Sequence, residues 1–357
     1  MQSGTIDRAA MDIKQEALLE LEESGLRYSS PQEKGYGRKA KGDSFIYLDK
    51  QGRQITNEQI LSRIRSLVLP PAWREVWICA SPNGHLQATG LDINNRKQYK
   101  YHPKWLSLRS EKKFADLFTF GNKLPVLKKR VLQDLRKRKL SREKVCALAI
   151  AIMGKTSFRT GNRYYEKNYG SYGLTTLRNK HIKQISSNKI FFKFVGKKGV
   201  VQQCYLREKA LVKTLTKVKD IPGQVLFQYY DEEGNVKPLD SGTINAYLKE
   251  AMLTEVSCKT FRTWNGCLLA LSYMTTLPLP STITERKKNL VNIIDYVAHE
   301  LGNTRTVTRN YYIHPEILSA YESTALDKWI KTIQNKQKLS DKIIQNQLMK
   351  LLKQTSG

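Results

Sequence analysis

Between Ser44 and Tyr101 the chain runs in short alternating or β-rich segments, Phe45 to Leu48, Val76 to Ala80, His85 to Thr89 and Lys97 to Tyr101, separated by turn residues. Beyond about residue 110 the spacing of apolar residues becomes helical. This change of period limits the fold, because a segment patterned for a strand cannot bury one face as a helix. The expectation is an α+β chain with three parts: an N-terminal helix and basic arm at 1–43, a small β-rich domain at 44–110, and a mainly α-helical domain with a small sheet at 111–357. A helix at about residues 57 to 67 interrupts the strands. With 357 residues, 40% of them hydrophobic, the chain can bury a core in each larger part.

Several local features refine this outline. An amphipathic segment near residues 7 to 24 carries Met11, Leu18, Leu19 and Leu21 among acids and should end at Gly25. Residues 31 to 43, rich in Gly, Lys and Arg, read as a flexible linker or as an arm that orders on binding. Ser141 is placed to N-cap a helix with Val145, Leu148, Ala149, Ile152 and Met153 on one face. Arg159 continues near that stripe, where a guanidinium needs an anionic partner, from the protein or from a ligand. Lys189 to Val195 and Val200 to Leu206 read as strands joined by Gly196-Lys197-Lys198-Gly199, a turn with Lys197 at its tip. Leu290, Ile293, Ile294, Val297, Ala298 and Leu301 have the spacing of a buried helix capped by Gly302, which puts Asn303 just past its end. From Ala325 onward one or two basic amphipathic helices are expected, including Ile343, Ile344, Leu348, Leu351 and Leu352.

Charge nominates the partner. Lys and Arg number 61 against 32 Asp and Glu, for a formal charge of +29, a field that attracts phosphate backbones. Charge alone fits a ribosome-associated or solvated basic surface as well as a DNA enzyme. No stretch approaches the roughly 18 consecutive apolar residues of a membrane span, and Met1 to Ala10 lacks the layout of a signal peptide. A soluble, intracellular protein is expected. Cys79, Cys146, Cys204, Cys258 and Cys267 are scattered and read as reduced core thiols. The five histidines are equally dispersed, so no metal cluster is expected.

In this basic chain, residues 303 to 315 set the pair Tyr311-Tyr312 beside Arg305 and Arg309. A tyrosine phenol can attack a phosphodiester and keep the energy of the broken bond in a phosphotyrosyl bond, so that rejoining needs no ATP. Attack puts negative charge on the nonbridging oxygens, which preorganised Arg or Lys donors stabilise more in the transition state than in the ground state. The leaving 5′-oxygen needs a proton, which a Lys of lowered pKa can supply. Such chemistry needs no metal.

Phe158-Arg159-Thr160-Gly161-Asn162, Phe194-Val195-Gly196-Lys197, Lys259-Thr260-Phe261-Arg262-Thr263, Gly302-Asn303-Thr304 and Tyr312-Ile313-His314-Pro315 together resemble, in order and spacing, type IB DNA topoisomerases of the poxvirus and bacterial kind. The resemblance extends to Gly170 to His181, Pro70 to Trp73 and Arg96 to Pro103, and spans about residues 25 to 320. It implies the fold of the tyrosine recombinases and type IB topoisomerases, with 44–110 as the DNA-binding domain and 111–357 as the catalytic domain, relaxation of supercoiled duplex DNA, no cofactor, and a monomer that clamps its DNA. By the same resemblance Tyr312 is the nucleophile, Arg159 and Arg262 hold the scissile phosphate, Lys197 is the general acid, and Lys259 assists near the phosphate. Asn303 stands where poxvirus members carry histidine; an amide can make the same hydrogen bond but carries no charge. The choice of Tyr312 over Tyr311 rests on this resemblance. The cytoplasm is the expected location, at the nucleoid in a bacterium, or a virion or viral factory for a virus.

Tyr99 and Tyr101 share one face of a strand, Gln98 takes the other, and Arg96 and Lys97 adjoin them. The family places corresponding residues on the major groove, where glutamine can read adenine. A packed sheet surface would explain the two tyrosines as well. Tyr165, six residues after Arg159, resembles a further DNA-contacting tyrosine.

Three other readings compete. A tyrosine recombinase or integrase shares the Arg, Lys, Arg and Tyr, but typically carries His-x-x-Arg where this chain has Lys259-x-x-Arg262. A non-catalytic architectural protein explains the charge and not the constellation. An NTPase, suggested by Gly154-Lys155-Thr156, lacks the glycine of a phosphate loop, since Ala149 stands there in a helical run.

Overall fold

The computed structural model describes residues 18–19, 21–335 and 340–354. The chain divides into two compact units, with the boundary between residues 112 and 113. Most of the expected N-terminal helix lies outside the described residues. Its end is visible: Leu18, Leu19 and residues 21–23 are helical, and Gly25 follows at φ +72°, donating to the Glu22 carbonyl.

The first unit is built on a five-stranded antiparallel sheet of strands β1 (Tyr36–Lys41), β2 (Ser44–Leu48), β3 (Arg74–Ile78), β4 (Leu86–Leu91) and β5 (Lys97–Tyr101), in the order β2-β1-β3-β4-β5. Residues 31–43, expected as an arm or linker, therefore contain a strand. Its basic side chains hide the alternation, yet Arg38 donates to the carbonyls of Leu69, Pro70, Pro71 and Trp73 and stands 4.3 Å from the centre of the Phe45 ring. Tyr36 packs on the small core of Ile55, Ile64, Val76, Ile78 and Ala88. The helix Glu58–Ser66 is N-capped by Asn57, whose side chain accepts from the Ile60 N–H, and covers that core with Ile64.

The second unit is mainly helical. At its centre lies the helix Arg142–Thr156, packed against the helices Lys209–Lys219, Ser241–Met252 and Cys258–Met274. One apolar face was expected; instead every residue from Lys144 to Ile150 is buried, as are Ile152 and Met153. Neighbours on several sides turn a stripe into a fully enclosed core helix. Ser141 occupies the N-cap position, but its hydroxyl donates to the Glu143 carboxylate rather than accepting from a helix N–H. At the other end Ser157 adopts a left-handed conformation, φ +54°, and stops the helix. Arg159 thus leaves the line of the apolar stripe that was expected to carry it.

An antiparallel sheet of β6 (Ile182–Ser186), β7 (Lys189–Val195) and β8 (Val201–Leu206) follows. Phe158 packs edge-on against Phe192 and Phe194 of β7, with ring centres 5.5 and 4.9 Å away. This contact brings Arg159 beside the tight turn Lys197–Gly199 that joins β7 to β8. The helix Ile283–Leu301 starts with a capping box, Thr282 with Glu285, and ends at Gly302, φ +59°, whose N–H reaches the Ala298 and His299 carbonyls. The short helix Arg305–Tyr311 follows, and the helices Pro315–Glu322, Asp327–Gln334 and Asp341–Gln354 complete the unit. Buried Ile344, Leu348, Leu351 and Leu352 anchor the last of these. Among the described residues no helix is long and apolar enough to cross a membrane.

Candidate active site

Tyr312 ends the helix Arg305–Tyr311 and donates its N–H to the Thr308 carbonyl, 2.9 Å away. Leaving helical geometry at this residue turns its side chain into the unit, so that Tyr312 is 9% exposed while Tyr311 is 37% exposed. Beneath the ring lies Arg262, its guanidinium carbon 5.3 Å from the ring centre. Arg262 comes from the second turn of the helix Cys258–Met274 and is 4% exposed. Two backbone carbonyls hold it: Nη1 donates to Ser157, and Nη2 donates to Leu301 at 2.5 Å. Both carbonyls sit at helix ends, where they lack partners within their own helix.

Arg159 reaches the same place from the segment after Ser157, and its Nη2 donates to Asn303 Oδ1 at 2.6 Å. No protein carboxylate bonds either guanidinium in the described residues. Asn303 is fixed by its own N–H, which donates to the Ala298 carbonyl at 2.8 Å as the helix closes at Gly302. Two donors remain buried without a partner, Arg262 Nε and Asn303 Nδ2. A buried unpaired donor costs on the order of 1–3 kcal/mol. Two of them beside two cations make a place for an anion with several acceptor oxygens.

Lys197 stands in the turn between β7 and β8 and shares a small cleft with Arg159, Arg262, Gln202 and Gly302. Burial lowers its pKa from the ordinary lysine range, and the charge of Arg159 lowers it further. Arg262 is likewise lowered, to about 10, by burial and then by Arg159. Burial pushes the Tyr312 phenol up, but Arg262, Arg159 and Lys259 outweigh it and leave the phenol below its ordinary value. Lys259 itself is exposed, one turn before Arg262, and acts on the site by its charge.

Tyr312, Arg159, Lys197, Arg262 and Asn303, drawn from five separate segments, thus converge. Tyr165 lies on the helix Arg163–Tyr169 and is exposed, with Tyr164 and Tyr169 against its ring. In the first unit, Tyr99 and Tyr101 stack along one face of β5, with ring centres 6.0 Å apart. Gln98 donates to Asp92 at 2.8 Å, Lys97 is exposed, and Arg96, half-buried, donates its N–H to Asp92. The Ser157 and Leu301 carbonyls and Gln202 were not among the expected site residues. None has a motif, since each enters by folding of distant segments.

Residues 102–342 match the family described as eukaryotic DNA topoisomerase I, catalytic core, and residues 44–92 match the bacterial DNA topoisomerase IB N-terminal domain. The DNA topoisomerase 1B of Acanthamoeba polyphaga mimivirus is 31% identical over 296 residues, covering 81% of this chain and 88% of the viral protein. The DNA topoisomerase I of Monkeypox virus and the DNA topoisomerase 1B of Vaccinia virus (strain Copenhagen) are each 26% identical over 235 residues, 64% of this chain and 70% of the relative. With the catalytic-core family matched over more than half its length, the chain belongs to the type IB DNA topoisomerases.

Proposed function

We propose that this enzyme relaxes supercoiled duplex DNA by cutting and resealing one strand through a 3′-phosphotyrosyl intermediate at Tyr312, without ATP or metal. The Tyr312 oxygen attacks the scissile phosphorus, an Oη–P bond forms, and the P–O5′ bond breaks. The phenol proton passes to solvent, and Lys197 gives a proton to the departing 5′-oxygen. Arg159 and Arg262 neutralise the charge that develops on the nonbridging oxygens, and the Asn303 amide donates to one of them. Lys259 adds positive charge at the edge of the site. After the free end has rotated, the 5′-hydroxyl attacks the phosphotyrosine and reverses each step.

The observation that carries this reading is the buried Arg262 under the Tyr312 ring, with its Nε and the neighbouring Asn303 Nδ2 left for an anion. One copy of the chain supplies every residue required, so a monomer should act alone. Arg96, Lys97, Gln98, Tyr99, Tyr101 and Tyr165 are proposed to contact the duplex, and the enzyme to work in the compartment that holds its DNA. The test is relaxation of positively and negatively supercoiled plasmid in EDTA without ATP, followed by mapping of the DNA-linked peptide. Both plasmids should relax and the label should fall on Tyr312. A requirement for divalent metal, a label on Tyr311, or normal relaxation by Tyr312→Phe would refute it, and strand exchange between specific sites would point to a recombinase.

A further inference from the structure

The peptide that carries Tyr312 is gripped from behind. Cys267 Sγ stands 3.7 Å from the Tyr312 carbonyl oxygen and accepts the His314 N–H at 3.3 Å. A side chain at Gly266 would strike that same carbonyl. The His314 ring packs edge-on against Phe114, with ring centres 4.8 Å apart. The remaining hold is polar and comes from far away in sequence: Lys113 Nζ donates to the Tyr311 carbonyl at 2.9 Å. The same ammonium lies 3.8 Å from the centre of the Phe114 ring and 5.5 Å from that of Tyr311. Its hydrogen bond goes to one backbone oxygen, and its charge lies against two aromatic faces.

We propose that Lys113 is a positioning residue for strand cleavage: its ammonium, bound to the Tyr311 carbonyl, fixes the direction of the peptide that presents Tyr312 to Arg262. The inference rests on Tyr312 being the nucleophile. A carbonyl bound on the outer side of the turn fixes the peptide plane between Tyr311 and Tyr312, and with it the starting direction of the Tyr312 side chain. In-line attack tolerates little error in that direction, since displacements near 1 Å can cost about 100-fold in rate. Without the bond, Tyr311 and Tyr312 can rotate as a pair and the phenol spends less time over the phosphate.

The groups facing Lys113 are Lys259 and Cys267 from the helix Cys258–Met274, and Tyr311 and His314 from the nucleophile segment. Burial, and then the charge of Lys259, lowers Lys113 to about 8. His314, lowered to about 4 by burial and then by Lys113, is neutral in this range. The charged hold on the carbonyl is therefore present below about pH 8 and weakens above it.

Single-turnover cleavage of a duplex that traps the covalent adduct tests the proposal with full-length Lys113→Met and Lys113→Arg. Duplex affinity is measured for each in a Tyr312→Phe background. At pH 7, Lys113→Met should cleave roughly tenfold or more slowly, with affinity changed by less than about threefold, since only one cation of many is lost. Lys113→Arg, which keeps a charged donor, should recover most of the rate. The ratio of wild-type to Lys113→Met rates should shrink as pH rises through 8, while the Lys113→Arg to Lys113→Met ratio stays level; limbs belonging to other residues cancel in both. Wild-type cleavage by Lys113→Met, failure of Lys113→Arg to rescue, a ratio independent of pH, or equal loss of affinity and rate would each overturn the proposal. Adduct formation by Tyr312→Phe would instead overturn the nucleophile assignment beneath it.

Discussion

The Arg262 guanidinium lies against the face of Tyr312, 5.3 Å from guanidinium carbon to ring centre, and both residues are almost completely buried. Burial opposes ionisation of the phenol, yet the nearby positive charge of Arg262 and Arg159 more than compensates and lowers its pKa. A lowered phenol pKa means that the attacking phenolate gains population at lower pH than in free tyrosine. The rising limb of cleavage against pH should therefore lie below the ordinary phenol value of about 10. Arg262→Ala should reduce single-turnover cleavage by about 100-fold or more and move the rising limb to higher pH. A limb that stayed in place would mean that Arg262 acts on the phosphate alone.

Arg159 and Asn303 share a 2.6 Å hydrogen bond through Asn303 Oδ1, which leaves the amide nitrogen free to donate. Asn303→Asp would replace that donor with an acceptor and pair Arg159 with an anion of its own. Cleavage should fall more for Asn303→Asp than for Asn303→Ala, by about an additional tenfold, because a carboxylate repels the phosphate as well as failing to donate. Asn303→His keeps a donor and should stay closest to wild type. The three variants are compared by single-turnover cleavage at saturating enzyme. Equal rates for the aspartate and alanine variants would remove Asn303 from the phosphate.

Lys197 has its pKa lowered by burial and then by Arg159. An acid must hold its proton, so cleavage should fall as pH rises through this lowered value, giving a descending limb below the ordinary lysine pKa of about 10.4. Lys197→Ala should slow cleavage by about 100- to 10,000-fold with an oxygen leaving group. A substrate with sulfur at the bridging 5′ position leaves as a thiolate and needs little protonation. With it, the variant should approach the wild-type rate and the descending limb should vanish. Persistence of the defect would assign Lys197 to charge stabilisation rather than proton transfer.

The features legible in the sequence were those with a local cause. The period-2 runs became β2 to β5, the Gly196–Gly199 turn joined two strands as its glycines suggested, and Gly302 closed its helix in the left-handed conformation. The departures have a tertiary cause. Residues 36–41 became a strand because Arg38 found four carbonyls on a distant loop, and lysines on the open face masked the alternation. The helix at 142–156 was enclosed because neighbouring helices covered the side that periodicity left open. Within the site, the side chains were recognisable by motif, whereas the carbonyls of Ser157, Leu301 and Tyr311 that orient Arg262 and engage Lys113 leave no mark on residue identity. A backbone oxygen looks the same whichever residue bears it.

Gly302 links fold to site, because the residue that ends the helix Ile283–Leu301 directly precedes Asn303. Its φ of +59° is unfavourable for a residue with a side chain, and an added Cβ would lie 2.6 Å from Gln202 Nε2. The left-handed conformation costs about 1–2 kcal/mol for alanine, a loss that should lower the melting midpoint by several degrees at this domain size. The contact with Gln202 involves the end of a flexible side chain and can relax. Gln202→Ala combined with Gly302→Ala should therefore recover little stability, since the backbone term persists. Asn303 would feel the strain through its N–H bond to Ala298, so Gly302→Ala should also slow cleavage at temperatures well below its midpoint. Thermal unfolding of both variants, with single-turnover cleavage at 25 °C or below, separates the effects. If the double variant returned to wild-type stability, the cost would lie in the Gln202 contact and not in the helix end.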